Sequence, residues 1–233
     1  MASELYLFLK QFLTDERLAR FDDVLMHRTR HLSLVLENVH HAHNASACLR
    51  TCDCLGIQDV HIIESHNSFE PNHEIALGAS QWLTTFRYQD APEASDECDA
   101  APNPTENCIQ HLRSEGYRIL ATSPLQDSVA LDDVPVDTKT AIIFGAEQIG
   151  VSETAISQAD ALVHIPMFGF TESFNISVSV ALVFQHLLNK TRTQIVDWQL
   201  SEEEKQVLRE RWVQHSLGEK LAPLCRRFEA DQR

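Results

Sequence analysis

Lysine is scarce in this chain. Five lysines stand among 233 residues, and with 14 arginines they face 34 acidic residues, for a formal net charge of −15. That deficit argues against a broadly basic surface, because phosphate neutralisation supplies most non-specific affinity for nucleic acid. Glycine is sparse too, at seven residues. Neither a Gly-x-Gly-x-x-Gly run nor a Walker phosphate loop occurs, which disfavours a conventional dinucleotide or nucleoside triphosphate site. No apolar run is long enough to span a bilayer, and no signal-peptide pattern is present. The six cysteines show no regular pairing. Cys48, Cys52 and Cys54, and His40, His41 and His43, lack a second ligand pair at zinc-like spacing, so a metal is not expected. Cys48 and Cys52, four apart on an expected helix, read as one packed face. The expectation is a cytoplasmic protein with reduced thiols and no membrane segment.

What is present is unevenly spread. The stretch "QDAPEASDECDAAPNPTENC" carries Asp90, Glu93, Asp96, Glu97, Asp99 and Glu106 and no Lys or Arg. It reads as a solvated acidic loop over about residues 89–107. From Lys205 onward the sign reverses, with Lys205, Arg209, Arg211, Lys220, Arg226, Arg227 and Arg233 outnumbering Glu210, Glu219, Glu229 and Asp231. This stretch is the cationic surface best suited to RNA. The Lys-poor, acid-rich balance also suits a cytosol of high salt.

Length and a hydrophobic content of 43% suit an α/β domain with extensions. Residues 1–30 have apolar positions at helical spacing (Leu5, Leu7, Phe8, Phe12, Leu13, Leu18, Phe21, Leu25) and form an N-terminal helical extension. Strand and helix then alternate. "LSLVLENV", "QDVHIIE", "YRILAT", "TAIIFG" and "ALVHIP" read as strands, and "ALGASQWLTTFRY" as a helical turn and a strand. Helices are expected over "NASACLRTCDCLG", with Asn44 as N-cap and Gly56 as stop, over "ENCIQHLRSEG" and over "SETAISQA". Such alternation argues a mostly parallel sheet with helices on both faces, and ligands bind such sheets at the carboxyl ends of strands. Three stretches end strands there: "ATSPL", "FGAEQIG" and "IPMFGFTESFN". The last precedes an apolar run read as a buried helix, its first turn marked by Ser173 and Asn175.

Those stretches carry a resemblance. "FGAEQIGVS" and "IPMFGFTESFNISVSVAL" resemble the second and third motifs of the SpoU/TrmH family of RNA ribose 2′-O-methyltransferases, in the SPOUT superfamily. "LENVHHAHNASACLRTCDCLGIQDVHII" resembles the first, with Asn44 and Arg50 at the motif's Asn and Arg. The flanking helices are similar to those of the branch that methylates guanosine 18 of tRNA. The resemblance implies a methyltransferase domain over 31–192, a C-terminal deep trefoil knot, and a C-terminal helical extension over 193–233. It implies S-adenosylmethionine bound by Thr122, Gly145, Ile165 and Phe174, a homodimer, and a tRNA substrate, with ribosomal RNA or another tRNA nucleotide as the alternative. A non-catalytic RNA-binding or assembly factor is the alternative of another class.

By the same resemblance Asn44, Arg50, Glu147, Ser173 and Asn175 form the catalytic set. A guanidinium, with a pKa above ~12, is too weak a base to take the ribose proton. Arg50 is therefore expected to hold the 2′-oxygen and stabilise its developing charge, with Glu147 orienting Arg50 by a charge-assisted hydrogen bond. Two departures from the family pattern stand out. Phe174 occupies a position where Leu is common, and Ala42 replaces a frequent proline.

Overall fold

A computed structural model describes residues 3–65, 76, 78–90, 103–123, 127–147 and 149–232. Most of the expected acidic loop, and the Pro124–Leu125 end of "ATSPL", lie outside the described residues. The chain divides into two compact units, one of residues 30–198 and one joining 1–29 to 199–233.

The first unit is built on seven strands: β1 (Leu32–Glu37), β2 (Asp59–Glu64), β3 (Thr84–Gln89), β4 (Arg118–Thr122), β5 (Val129–Ala130), β6 (Thr140–Phe144) and β7 (Ala161–His164). Their order is β3-β2-β1-β6-β4-β7-β5, and every neighbouring pair is parallel. The first strand thus lies beside the sixth, and the sequence of strands changes direction between them. That is where an open parallel sheet leaves a crevice beyond its carboxyl ends.

Side chains alternate across the sheet, so both faces are apolar. Leu34, Leu36, Ile62, Ile142 and Phe144 bury one face against Cys48, Leu49 and Cys52 of α3 and against Val180, Phe184 and Leu187 of the long apolar helix. Val35, Ile63, Ile119 and Ile143 bury the other against Cys108, Ile109 and Leu112, and against Ala155. The first pair of helices is α3 (Ala42–Leu55) and α6 (Ile176–Gln194); the second is α4 (Pro104–Ser114) and α5 (Glu153–Gln158). Cys48 and Cys52 are both fully buried, as one packed helix face requires. Each apolar side chain of this size stabilises the fold by roughly 1.5–3 kcal/mol when buried.

Local chemistry sets the helix ends. Helix α3 starts three residues earlier than expected from an Asn44 cap: its N-cap is His41, and Asn44 lies inside the first turn. The cap role is therefore corrected, and the Asn44 side chain is free for tertiary contacts. Gly56, in the left-handed region at φ 85°, ends α3 as expected. Glu106, read from sequence as part of the acidic loop, belongs to the first turn of α4, which begins at Pro104 under an Asn103 cap. Helix α6 buries only one face; Val178 and Leu182 on its other side are exposed.

The second unit is helical. It contains α1 (Glu4–Leu9), α2 (Asp15–Leu25), α7 (Glu202–Leu217) and α8 (Leu221–Asp231). Ser201 and Glu204 close a reciprocal capping box at the start of α7. Trp212, 1% exposed, meets the edge of Phe21 at 5.7 Å, and the Arg28 guanidinium lies over its ring at 5.5 Å. No helix among the described residues is long and apolar enough to cross a membrane.

Candidate active site

Asn44 follows β1, and Glu147 follows β6. Because these strands are neighbours, the two residues meet although 103 positions separate them. Asn44 Nδ2 donates to Glu147 Oε1 at 2.5 Å, and Asn44 Oδ1 accepts from Asn175 Nδ2 at 3.3 Å. Asn175 in turn caps α6: its Oδ1 accepts from the Ser177 N–H at 2.9 Å and from Ser177 Oγ at 2.6 Å. One continuous chain of hydrogen bonds therefore joins all three sequence motifs. It fixes the Asn44 amide from both ends, so its orientation follows from its partners.

Arg50 is placed differently from expectation. Glu147 pairs with Asn44 and not with Arg50, and among the described residues Arg50 makes no hydrogen bond or ion pair. The reason is helical geometry. Six residues of α3 separate Asn44 from Arg50, which turns the latter about 120° away around the helix axis. Arg50 instead shares a face with His43 and Ala47 and opens onto a groove between α3 and α6, opposite Ala181, Leu182 and Gln185. Cys54 lines the same groove. Ser173 is exposed and, like Arg50, has no partner among the described residues.

Thr122, Gly145 and Ile165 end or follow β4, β6 and β7, three adjacent strands, so they line up along one edge of the sheet. Thr122 Oγ1 donates to the Ile143 carbonyl at 3.1 Å across that edge. Gly145 opens a loop that doubles back on itself. The Gly150 N–H donates to the Ala146 carbonyl at 2.8 Å, and a Cβ on Gly145 would lie 2.0 Å from the Gly150 carbonyl oxygen. No other residue type fits there without opening the loop.

Beyond Ile165 the chain leaves regular structure until α6. Pro166 to Asn175 is exposed throughout, and the backbone of 166–174 makes no hydrogen bond to other described residues. Yet its side chains are apolar: Met167 is 37% exposed, Phe168 98%, Phe170 109% and Phe174 43%. Ile149, at the facing glycine loop, is 78% exposed. Unfilled backbone donors and acceptors beside bare apolar rings fit a ligand with one flat heteroaromatic part and one aliphatic part. S-adenosylmethionine is such a ligand, and the residues fit it. Phe168 and Phe170, which sequence reading treated only as members of an apolar run, are the most exposed apolar side chains of this segment. The available signal was the Phe-Gly-Phe pattern, which interrupts that run before the polar Thr171-Glu172-Ser173.

The nearest buried thiol belongs to Cys48. Burial pushes it up to about 12, and the Glu147 charge adds to this, so it stays protonated and unreactive.

Known proteins are similar to this chain in sequence and in fold. The chain is 42% identical over 201 residues to a tRNA (guanosine(18)-2′-O)-methyltransferase of Borreliella burgdorferi, covering 86% of each. It is 34% identical over 170 residues to an enzyme of the same description from Thermus thermophilus, covering 73% of this chain and 80% of that one. Its structure is similar to the crystal structure of the Aquifex aeolicus TrmH/SpoU tRNA modifying enzyme, with a TM-score of 0.74, 25% identity, and coverage of 87% of this chain and 98% of the other. The SpoU rRNA Methylase family profile matches residues 31–105 and 100–185, which span all three motifs. A parallel sheet whose three motifs converge at one edge, matched in sequence and in structure, makes this chain a member of the SpoU rRNA methylase family.

Proposed function

We propose that the protein is an S-adenosylmethionine-dependent ribose 2′-O-methyltransferase that modifies guanosine 18 of tRNA. The observation that carries this reading is the hydrogen-bonded chain Glu147–Asn44–Asn175, which unites the three motifs and ends on the residue that follows the exposed apolar segment 166–174. The similarity to two guanosine-18 methyltransferases over most of the chain supports the substrate.

S-adenosylmethionine, when bound, supplies a methyl group already activated on a sulfonium. Thr122, Gly145, Ile165 and Phe174 would hold it, the glycine through backbone and the others as walls. The chain's own task is then to position a ribose and manage one proton. Arg50, solvent-facing and permanently charged, grips the 2′-oxygen and an adjacent phosphate and stabilises the negative charge that develops on that oxygen. A phosphate oxygen or a water takes the proton. Asn44 is held rigid by Glu147 and Asn175, which leaves one Nδ2 hydrogen for the substrate. Ser173, exposed and without a partner among the described residues, supplies a further hydroxyl for it.

The segment from Ile165 through α6 is proposed to thread a loop as a trefoil knot, with the methyltransferase domain over 31–192 and helical extensions on either side. A second copy is proposed to cover Val178 and Leu182, which would place Arg50 beside the subunit interface. The tRNA backbone is assigned to the terminal helices. Residues 1–29 and 199–233 hold 11 Lys and Arg against 12 Asp and Glu, whereas residues 30–198 hold 8 against 22. Phosphate contacts need cations, and that unit has the larger share.

The test is methyl transfer from labelled S-adenosylmethionine onto total tRNA and ribosomal RNA, followed by mapping of the product. The expected product is a 2′-O-methylated guanosine at position 18 of tRNA. A methylated base, or label confined to ribosomal RNA, would overturn the assignment.

A further inference from the structure

Glu37 closes β1 as a buried carboxylate, 1% exposed, and no Lys or Arg pairs with it among the described residues. Burying a lone carboxylate is costly unless donors fill its oxygens. Three do. Thr105 Oγ1 donates at 2.7 Å, Ser152 Oγ at 2.7 Å and the Ser152 N–H at 2.8 Å. Hydrogen bonds to an ionised acceptor at these distances are of the stronger kind.

Two of the three come from Ser152, and Ser152 is where the glycine loop ends. Beyond β6 the chain approaches itself closely at Gly145 and Gly150, and residue 152 lies beside the end of β1. Peptide continuity with β6 holds one end of this loop, and Glu37 holds the other. The exposed Glu147 sits between them and reaches Asn44. Ser152 also caps α5, its Oγ accepting from the Ala155 N–H at 3.1 Å, so the anchored end is stiffened on the far side as well.

We propose that Glu37 is a positioning residue for methyl transfer. By gripping Ser152 it sets the 145–152 loop, and through the loop both the cofactor-facing backbone at Gly145 and the Glu147–Asn44 pair. The assignment rests on the function proposed above. Glu37 touches neither cofactor nor substrate, and its effect reaches them only through the loop.

Glu37→Gln keeps the size and one acceptor oxygen but turns an NH2 group toward donors, so part of the grip on Ser152 is lost. Calorimetry should then show S-adenosylmethionine binding about 5- to 50-fold more weakly, the range expected for mispairing one buried donor. KM for tRNA should stay at the parent value. Thr105→Val removes the third donor from the α4 side; it should lower the melting temperature yet leave cofactor affinity within about twofold. Ser152→Ala should weaken binding like Glu37→Gln, and the double variant should bind no more weakly than Glu37→Gln alone, because both act on one link. Ser152→Ala by itself carries the test if Glu37→Gln does not fold. A folded Glu37→Gln with parental affinity, or additive effects in the double variant, would overturn the proposal. A purely structural carboxylate would instead lower the melting temperature in both Glu37→Gln and Thr105→Val and leave both affinities unchanged. Failure of the unaltered chain to bind S-adenosylmethionine would overturn the proposed function, and this inference with it.

Discussion

Two edges of the sheet treat polarity in opposite ways. At the β2–β3 edge, His61 and Glu64 are buried and matched. His61, 2% exposed, stacks on Phe86 at 4.6 Å and shares a hydrogen bond with the Tyr88 hydroxyl at 2.9 Å. Glu64, 7% exposed, accepts from Gln89 at 2.8 Å and from Arg87 at 3.3 Å. Beyond the carboxyl ends of β4, β6 and β7 the balance is reversed in segment 166–174, where apolar rings stand in solvent and the backbone makes no hydrogen bond to other described residues. The first edge contributes to stability, since satisfied buried groups define a unique packing. The second forgoes burial, which under the proposed function keeps a cofactor surface open.

That contrast can be broken experimentally. The largest effect belongs to the shared core beneath both edges. Phe184, fully buried on α6 and 6.2 Å from the Phe144 ring, should cost about 3–5 kcal/mol on conversion to alanine, read from urea unfolding. Arg50→Ala should lower kcat by about 10²- to 10³-fold or more while cofactor affinity and melting temperature stay near parental, because the exposed guanidinium has no partner to lose among the described residues. Retained turnover would remove Arg50 from the mechanism.

A smaller effect is expected from pH. Burial first, and the His111 charge second, hold His61 down at about 3 against an ordinary 6.5. Below pH 6.5 the unfolded chain takes up a proton that the folded chain refuses. This contribution to stability is therefore complete above pH 6.5 and declines as pH falls toward 3. Converting His61→Phe should flatten that limb of the stability profile relative to the parent; an unchanged slope would mean that His61 titrates normally. The smallest change in stability is expected from truncating the exposed rings. Phe168→Ala with Phe170→Ala should shift unfolding free energy by less than about 0.5 kcal/mol, with the loss appearing in kcat/KM for RNA. A large stability loss would show that these rings pack in the native state.

Salt offers a separate check on composition. If the acid excess reflects a high-salt setting, stability and activity should rise with molar KCl. Indifference would remove that explanation.

Much of this was legible in the linear chain. The strands β1, β2, β4, β6 and β7, the stop at Gly56 and the Asn175 cap follow from alternation and cap chemistry, which act over a few residues. The three motifs also contain Asn44, Glu147 and Asn175, which hydrogen-bond to one another. Their pairing was not legible. Glu147 was expected on Arg50 and bonds Asn44 instead, because the rotation of α3 on the sheet decides which face meets β6. Glu37 read as one more strand residue, since nothing local reveals that Ser152, 115 positions away, would supply two of its donors.

The sequence by itself determined most of the elements and the family, because propensity, periodicity and motif chemistry are local properties carried by neighbouring residues. Only the tertiary structure decided that β1 lies against β6, and hence that Asn44, Glu147 and Glu37 serve one edge. That adjacency comes from burying both faces of a parallel sheet at once, a condition that no single segment can satisfy or reveal.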